Sequence, residues 1–197
     1  MTVSGNGAMA DYGWNEQPWY SQQSNIQSVI IEDGVTIIGK HAFCEHTSLY
    51  TVTYYNSVTA ILDAAFFGCS NLNKVNSNTV GECVIIDGLE WLGDMSFQDT
   101  LLEKVIILCT TPPECEGPDM FFMSQSSSYL PIYVSSDYVS VYEAADGWNN
   151  SEIFAIQEEN TGVFVDIVLP TIFVVLVGTL ACMYVMSARK QKQLVLR

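Results

Sequence analysis

The sequence repeats itself at an offset of 23 residues. Six apolar positions of the first copy recur in the second, where Val29, Val35, Ile38, Ala42, Phe43 and Leu49 are matched by Val52, Val58, Ile61, Ala65, Phe66 and Leu72. Self-similarity at a fixed period is typical of a solenoid, in which each unit is too small to bury its own apolar face. We therefore expect stacked coils, with the repeated apolar residues forming ladders through a shared core.

A third copy follows after a step of 31 residues instead of 23. It keeps the spacing of the earlier apolar positions at Leu89, Leu92 and Phe97. The eight additional residues fall most simply in the polar stretch 76–83, which we expect to leave the stack as a surface loop. Val105 and Ile107 then take the strand positions of the first copy and predict a fourth strand.

Each copy predicts a short strand, a turn and a short helical turn. The alternation of Val29 and Ile31 is that of a strand with one buried face, and Asp33 and Gly34 supply the turn after it. Phe43 lies in a segment too short to form an independent helix. The expected fold class is α/β, a solenoid of stacked short strands and short helical turns.

Residues 167–188 form a run of 22 positions without a charged side chain. As a helix rising ~1.5 Å per residue this run is roughly 33 Å long, which matches the hydrocarbon core of a bilayer. The run predicts one transmembrane helix, preceded by a juxtamembrane linker at 158–166 and followed by a basic tail at 189–197. A buried core helix is the alternative, and the length of the run disfavours it.

Charge is divided sharply along the chain. Residues 1–162 carry three of the seven basic side chains and a net charge of −18, whereas residues 163–197 carry a net charge of +3. Positive charge beside a span marks its cytoplasmic end, so we expect a cytoplasmic C-terminus and an extracellular repeat domain. A domain this acidic repels nucleic acid, and we expect no nucleic-acid partner.

The first residues, 1–14, lack the basic and apolar regions of a secretory signal peptide. Two interpretations are open. The chain starts inside a longer protein, or it is a tail-anchored protein whose repeats lie in the cytosol. The second interpretation requires four basic residues to cross the membrane.

Three stretches of the sequence resemble one known family. They are "SGNGAMADYGWNEQPWY" at 4–20, "IQSVIIEDGVTIIGKHAF" at 26–43, and "TTPPEC" at 110–115 followed by "IYVSSDYVSVYEAADGWNNSEIFAI" at 132–156. Together they resemble the BspA-type leucine-rich-repeat surface proteins. The resemblance implies a lead-in segment of the repeat domain at 1–25, leucine-rich repeats at 26–109 and a C-terminal closing unit at 110–157.

The sequence departs from the family pattern at a few positions. Ser57 and Leu62 stand where the first copy has the turn glycines Gly34 and Gly39, and Ser135 stands where a proline is usual. The resemblance is specific for the fold and implies no particular ligand, since such repeats are general scaffolds.

The closing unit predicts a capping helix. Ser135 or Ser136 can begin this helix, and Gly147 can end it. Its apolar face comprises Tyr138, Val141, Tyr142 and Ala145. A helix here would cover the last coil, as the end of a solenoid requires.

Residues that could support catalysis or hold a metal are few. His41 and His46 are the two histidines of the chain, and we expect both to be structural because His46 takes the repeat position of Cys69. No familiar zinc-ligand spacing, phosphate-binding glycine loop or nucleophile motif occurs in the sequence. We expect no enzymatic activity and no cofactor.

Five cysteines precede the predicted span, so at least one of them is unpaired unless it bonds another chain. Cys109 and Cys115 can form a disulfide if the domain is extracellular, and free thiols are the alternative. Cys69 is expected to be a buried repeat residue.

A parallel strand ladder presents regular columns of outward side chains. If Val29 and its equivalents point inward, one outward column contains Ile30, Thr53, Asn76 and Ile106, and the next contains Ser28, Thr51, Lys74 and Lys104. Mixed polar and apolar columns fit a surface that contacts a protein or a glycan. We expect a cell-surface binding or adhesion module with a single membrane helix; the alternative is a tail-anchored cytosolic scaffold that recruits protein partners to a membrane.

Overall fold

The computed structural model describes residues 1–117 and 119–156, which form a solenoid of short strands. In this part of the chain the strands are β1 (Thr2–Val3), β2 (Gly7–Ala8), β3 (Ser28–Ile31), β4 (Val35–Ile38), β5 (Thr51–Tyr54), β6 (Ala60–Ile61), β7 (Lys74–Val75), β8 (Glu82–Ile85), β9 (Trp91–Leu92), β10 (Lys104–Ile107), β11 (Glu114–Cys115), β12 (Phe122–Met123), β13 (Ser128–Tyr129), β14 (Ile132–Val134) and β15 (Ile153–Ala155). The helices are the α-helix α1 (Val139–Glu143) and three 3-10 turns at Tyr20–Gln22, Asp119–Phe121 and Ser136–Tyr138.

Two parallel sheets form two sides of the stack. Sheet A has the strand order β1-β3-β5-β7-β8-β10-β14-β15, and sheet B has the order β11-β9-β6-β4-β2. Strands β12 and β13 form a separate antiparallel pair. Because β1 and β2 pair with β3 and β4, the lead-in segment builds the first coil of the stack.

The inward ladder of sheet A follows the repeated apolar positions. The register joins Val29 to Val52, Val75, Cys83, Val105 and Ile132 in succession. All six side chains are buried. The predicted alternation and the predicted fourth strand at Lys104–Ile107 are confirmed.

A third side, here called the turn side, closes each coil without a helix. In the first repeat the N–H groups of His41, Phe43 and Glu45 donate to carbonyl oxygens of the next coil, while those of Ala42 and Cys44 donate three residues back. Left-handed backbone recurs at equivalent positions, with positive φ at His41, Ala64 and Met95 and at Glu45, Gly68 and Asp99. The alternation points every second N–H at the neighbouring coil, so this side too is hydrogen-bonded between coils.

The turn side carries a continuous stack of aromatic rings. Its members are Trp19, Phe43, Phe66, Phe97 and Phe121, whose successive ring centroids lie 5.5, 5.4, 5.2 and 5.6 Å apart. The register predicted for the three central phenylalanines is confirmed. The structure adds one ring at each end, from the lead-in segment and from the closing unit.

The predicted surface loop at 76–83 is wrong for half of its length. Residues 77–80 are the only part of it that is not buried, whereas 82–85 form β8, all four of whose residues are buried. Strands β7 and β8 are adjacent in sheet A, so the additional residues insert one more rung there. Sheet B has no matching rung, because β6 pairs directly with β9.

The side chain of Asn76 completes sheet A where β7 ends. Its Oδ1 accepts a hydrogen bond from the Tyr54 backbone N–H at 2.8 Å, and its Nδ2 donates to the Val84 carbonyl at 3.4 Å. The carboxamide thus occupies the place of a peptide group between β5 and β8. A polar side chain is buried here because both of its hydrogen-bonding groups are satisfied.

The closing unit caps the stack with less helix than predicted. Helix α1 has five residues, and Ser135 precedes the helical segment without a side-chain capping bond. Tyr142 is buried and donates to the Cys109 carbonyl, and Trp148 is buried and donates to the Pro113 carbonyl. Val141 is 44% exposed, which corrects its predicted place on the buried face. The short helix leaves Trp148, beyond its C-terminal end, to cover the remaining part of the coil.

In residues 1–117 and 119–156, no helix has the length and apolar character needed to cross a bilayer. The predicted span at 167–188, its linker at 158–166 and the basic tail at 189–197 lie outside the described residues.

Candidate binding surface

The outward face of sheet A has the columns that the sequence predicts, and an additional rung within them. Backbone register places Ile30 beside Thr53, and Thr51 beside Lys74. Glu82 of β8 then separates Lys74 from Lys104. Apart from Asn76, whose side chain joins two strands, the predicted positions therefore lie on one face, but in two groups.

Four predicted binding residues are accessible in the N-terminal group. Ile30 is exposed, and Thr51, Thr53 and Lys74 are partly exposed. The Thr51 hydroxyl donates to the Ser28 hydroxyl at 2.9 Å, which fixes two neighbouring side chains of the second column. This end of the sheet presents a mixed apolar and hydroxyl surface.

The predicted residues of the C-terminal group are less available. Asn76 and Ile106 are 3% and 8% exposed, so neither can present its side chain to a ligand, and both are corrected here. Asn76 instead joins two strands. Lys104 is accessible, but its ammonium group lies 3.0 Å from the nearly buried carboxylate of Glu82, which also accepts a 2.6 Å hydrogen bond from Ser77.

A groove that the sequence analysis did not identify lies where the turn side meets the start of β3 and β5. It has a volume of about 540 Å³ and is lined by Gln27, Ser28, Ser48, Tyr50, Thr51 and Asn71. These residues are three pairs, each separated by the repeat length of 23. Recurrence of polar side chains at the repeat offset is therefore the signal that could have revealed the groove.

The groove has no charged lining residue, in a chain whose net charge is −15. Its side chains offer hydroxyl and carboxamide groups, which both donate and accept hydrogen bonds. Tyr50 is 41% exposed and adds an accessible aromatic ring. The groove can therefore hold a neutral, hydrogen-bonding ligand with an apolar edge.

A second groove further along the same side has a different chemistry. It has a volume of about 340 Å³, and its lining includes Asp99, Glu103, Leu101 and Met123. The Asp99 carboxylate accepts two hydrogen bonds from Ser124, one from the backbone N–H at 2.7 Å and one from the hydroxyl at 2.9 Å. This second groove is acidic and apolar where the first is neutral and polar.

The five described cysteines are free thiols, so Cys109 and Cys115 do not form a disulfide in this structure. Burial raises the pKa of Cys44 to about 12 and that of Cys109 to about 11. The pKa of Cys69 is also raised by burial, in agreement with its predicted place as a core residue. These buried thiols are held in the protonated, unreactive form.

Both histidines have structural surroundings. His41 lies with Nδ1 2.8 Å from the Tyr12 carbonyl and with Trp14 packed on its ring. His46 is buried against Phe43, and burial lowers its pKa. Among residues 1–117 and 119–156, no group of three or more His, Cys, Asp or Glu side chains is arranged to hold a metal ion.

The stacked strands, the buried phenylalanine ladder and the turn side agree with one known kind of repeat. Residues 17–112 match the BspA type leucine rich repeat region, in six copies. The match covers just under half of the chain and supports the resemblance that the sequence shows. It begins within the lead-in segment, where the structure places Trp19 at the start of the aromatic stack.

The chain is also similar to a solved structure, a leucine-rich repeat protein from Eubacterium ventriosum. The two are 23% identical, with a TM-score of 0.49, and the alignment covers 70% of this chain and 40% of that chain. This chain therefore spans less than half of the length of that protein. No curated protein matches the chain.

Proposed function

We propose that the chain is a cell-surface leucine-rich-repeat module that binds or adheres to a protein or glycan ligand. The observation that carries the proposal is the accessible N-terminal half of sheet A, where Ile30, Thr51 and Thr53 stand in adjacent columns next to an open groove. A parallel ladder holds such side chains at fixed spacing, which gives a contact surface with little conformational entropy left to lose.

A single membrane helix at 167–188 anchors the module in this proposal. The support is the uncharged run of 22 residues and the basic residues that follow it, Arg189, Lys190, Lys192 and Arg197. The repeats then face outward and the tail lies in the cytoplasm.

The two buried or engaged histidines support a non-enzymatic role. A general base needs access to a substrate proton, whereas His46 is buried and His41 is half-buried with Trp14 packed against its ring. In this proposal the module acts by contact and not by catalysis.

The test is a protease protection experiment on intact cells that express the full chain behind a supplied signal peptide. An antibody epitope before Thr2 is expected to be lost on protease treatment, while an epitope after Arg197 is protected. A matched variant with the four basic tail residues changed to Gln is expected to lose this uniform orientation.

A tail-anchored cytosolic scaffold is the second candidate, and the five free thiols within residues 1–117 and 119–156 favour it, because disulfides are rare in reducing compartments. If the chain without a supplied signal inserts with its repeats shielded from protease in intact cells, the scaffold replaces the surface module. If the chain with the supplied signal shows a protected N-terminal epitope, the proposed sidedness is wrong.

A further inference from the structure

The neutral groove beside β3 and β5 has the features of a ligand site. Its volume of about 540 Å³ falls within the ~300–1,000 Å³ typical of small-molecule sites. It is shallow and largely open to solvent, so it can admit part of a longer molecule. Neighbouring coils contribute equivalent residues, with Gln27 and Tyr50 at one repeated position and Ser48 and Asn71 at another.

Part of the groove is held in place by internal hydrogen bonds. Thr51 donates to the Ser28 hydroxyl at 2.9 Å, and Asn71 Nδ2 donates to the Thr47 carbonyl at 2.6 Å. The second bond orients the Asn71 carboxamide and leaves its Oδ1 as an acceptor. These side chains therefore lose little freedom when a ligand binds.

The other polar groups of the groove are available to a ligand. The side chains of Gln27, Ser48 and Tyr50 make no hydrogen bond to any described residue. They offer a carboxamide, an aliphatic hydroxyl and a phenol, each of which can donate and accept. A ligand that matches them must itself carry several groups that both donate and accept.

The exposed ring of Tyr50 adds a second requirement. With 41% of its surface accessible, it presents an apolar face next to hydroxyl and amide groups. A sugar ring combines a C–H face, which can pack on an aromatic ring, with a rim of hydroxyls. Tyrosine is suited to such contacts because one part of its side chain is apolar and one end is polar.

Charge excludes the acidic saccharides. Residues 1–162 carry a net charge of −18, and no lining residue of the groove is basic. A sialylated or sulfated glycan would meet repulsion without a cationic partner. We propose that this groove binds a neutral saccharide, as the ligand site of the proposed surface module.

The test measures binding of the purified full chain, in detergent micelles, to an array of immobilised oligosaccharides. The array holds neutral hexose and N-acetylhexosamine chains beside their sialylated and sulfated counterparts. We expect binding to neutral chains only. Tyr50→Ala is expected to weaken binding by about ten-fold or more, and Tyr50→Phe, which keeps the ring, by less.

Phe154→Ala is the matched control, because Phe154 is an aromatic ring on β15 with nearly the same exposure as Tyr50 and does not line the groove. It is expected to bind like the unchanged chain. Thermal melts of all variants test whether each is folded. Gln27→Ala supplies a second groove variant if Tyr50→Ala unfolds at a lower temperature than the unchanged chain. Failure to bind neutral chains, a preference for acidic chains, or equal binding by the groove variants overturns the inference.

The proposed function and this inference fail separately. A chain that is displayed on cells but binds none of the neutral oligosaccharides of the array keeps the surface role and overturns the saccharide site. A chain that binds neutral saccharides through Tyr50 but has its repeats shielded in the cytosol keeps the site and overturns the surface role.

Discussion

The turn side and sheet A cross the same 31-residue step in different ways. On the turn side, Phe66 stacks directly on Phe97 at 5.2 Å, so the longer third copy adds nothing to the aromatic ladder. In sheet A the same step contains two strands, β7 and β8. The inserted stretch therefore leaves the aromatic ladder of the turn side unchanged, but it adds a strand to sheet A.

The difference shows that register in a solenoid is kept separately on each side. Stacked rings need one aromatic per coil at contact distance, and any residue between them can leave the core. A sheet needs every N–H and C=O to be paired, so an additional strand is accepted only if its end is satisfied. Asn76 meets that need with a side chain, where two backbone groups would otherwise be orphaned.

Breaking the aromatic ladder is expected to have the largest effect. Phe66→Ala removes a fully buried ring that stacks on two others, and we expect a loss of about 3–5 kcal/mol in the free energy of unfolding. Urea denaturation of the full chain measures this loss. Phe154→Ala, at a ring that is 40% exposed, is the control and is expected to cost about 1 kcal/mol or less. Equal costs for the two variants would show that the ladder does not stabilise the stack.

Removing the Asn76 carboxamide tests how sheet A accepts its additional rung. Asn76→Ala leaves the buried Tyr54 N–H and Val84 carbonyl without their partner, and we expect a cost of about 2–4 kcal/mol. Thr79→Ala, in the exposed part of the connection, is expected to change stability by less than about 0.5 kcal/mol. The same urea titration compares the two. A stable Asn76→Ala variant would mean that the carboxamide only fills space between the strands.

Deletions test whether residues 76–83 are part of the stacked core. Removing 76–83 takes away the carboxamide bridge and the first half of β8, so we expect a chain that no longer unfolds cooperatively. Replacing 77–80 with Gly and Ser residues is expected to leave a cooperative transition, because those residues lie outside the core. Circular dichroism melts distinguish the two outcomes. Cooperative unfolding after the longer deletion would restore the surface-loop interpretation.

The ion pairs give a smaller contrast. Lys104→Met leaves the nearly buried Glu82 carboxylate with one fewer partner, and we expect a cost of about 1–2 kcal/mol, reduced by the partial exposure of the lysine. Lys40→Met breaks a more exposed pair with Asp63 on a regular part of the stack, and less than about 1 kcal/mol is expected. Raising the salt concentration should reduce the difference between the costs of these two variants only slightly. A larger cost at Lys40 than at Lys104 would show that the burial of Glu82 does not set the cost of losing its partner.

Thiol labelling measures how accessible each cysteine side chain is to reagent. Cys115 is partly exposed, whereas burial holds the pKa of Cys44 near 12 and that of Cys109 near 11. Because the thiolate is the reactive form, iodoacetamide near pH 8 should modify Cys115 first among the described cysteines. Peptide mapping by mass spectrometry checks this order, and a Cys115→Ser variant identifies its signal. Early modification of Cys44 would show that the turn side opens.

The repeat length alone placed the core. Val29, Val52, Phe43, Phe66 and their equivalents were found from spacing because a stacked coil must bury the same position in every copy. The outward columns of sheet A followed from the period of two in a strand. The closing unit was located from the family resemblance, and its helical pattern predicted a helix longer than α1.

Other features depended on contacts between coils, which spacing does not contain. In the sequence alone, Asn76 looks like a polar loop residue. In the structure it lies between β5 and β8, and its burial is favourable because it pairs with a backbone group of each strand. Val141 fits a helical face in sequence, but Tyr142 and Trp148 already fill the end of the core.

The neutral groove shows the same division most clearly. The sequence determined that polar residues recur at 23-residue intervals beside each strand, which follows from the repeat itself. Only the tertiary structure decided that three such pairs meet around one open space, because a groove is formed by the distance between coils and the direction of their side chains. Periodicity fixes which residues are equivalent, and packing fixes which of them face the same volume.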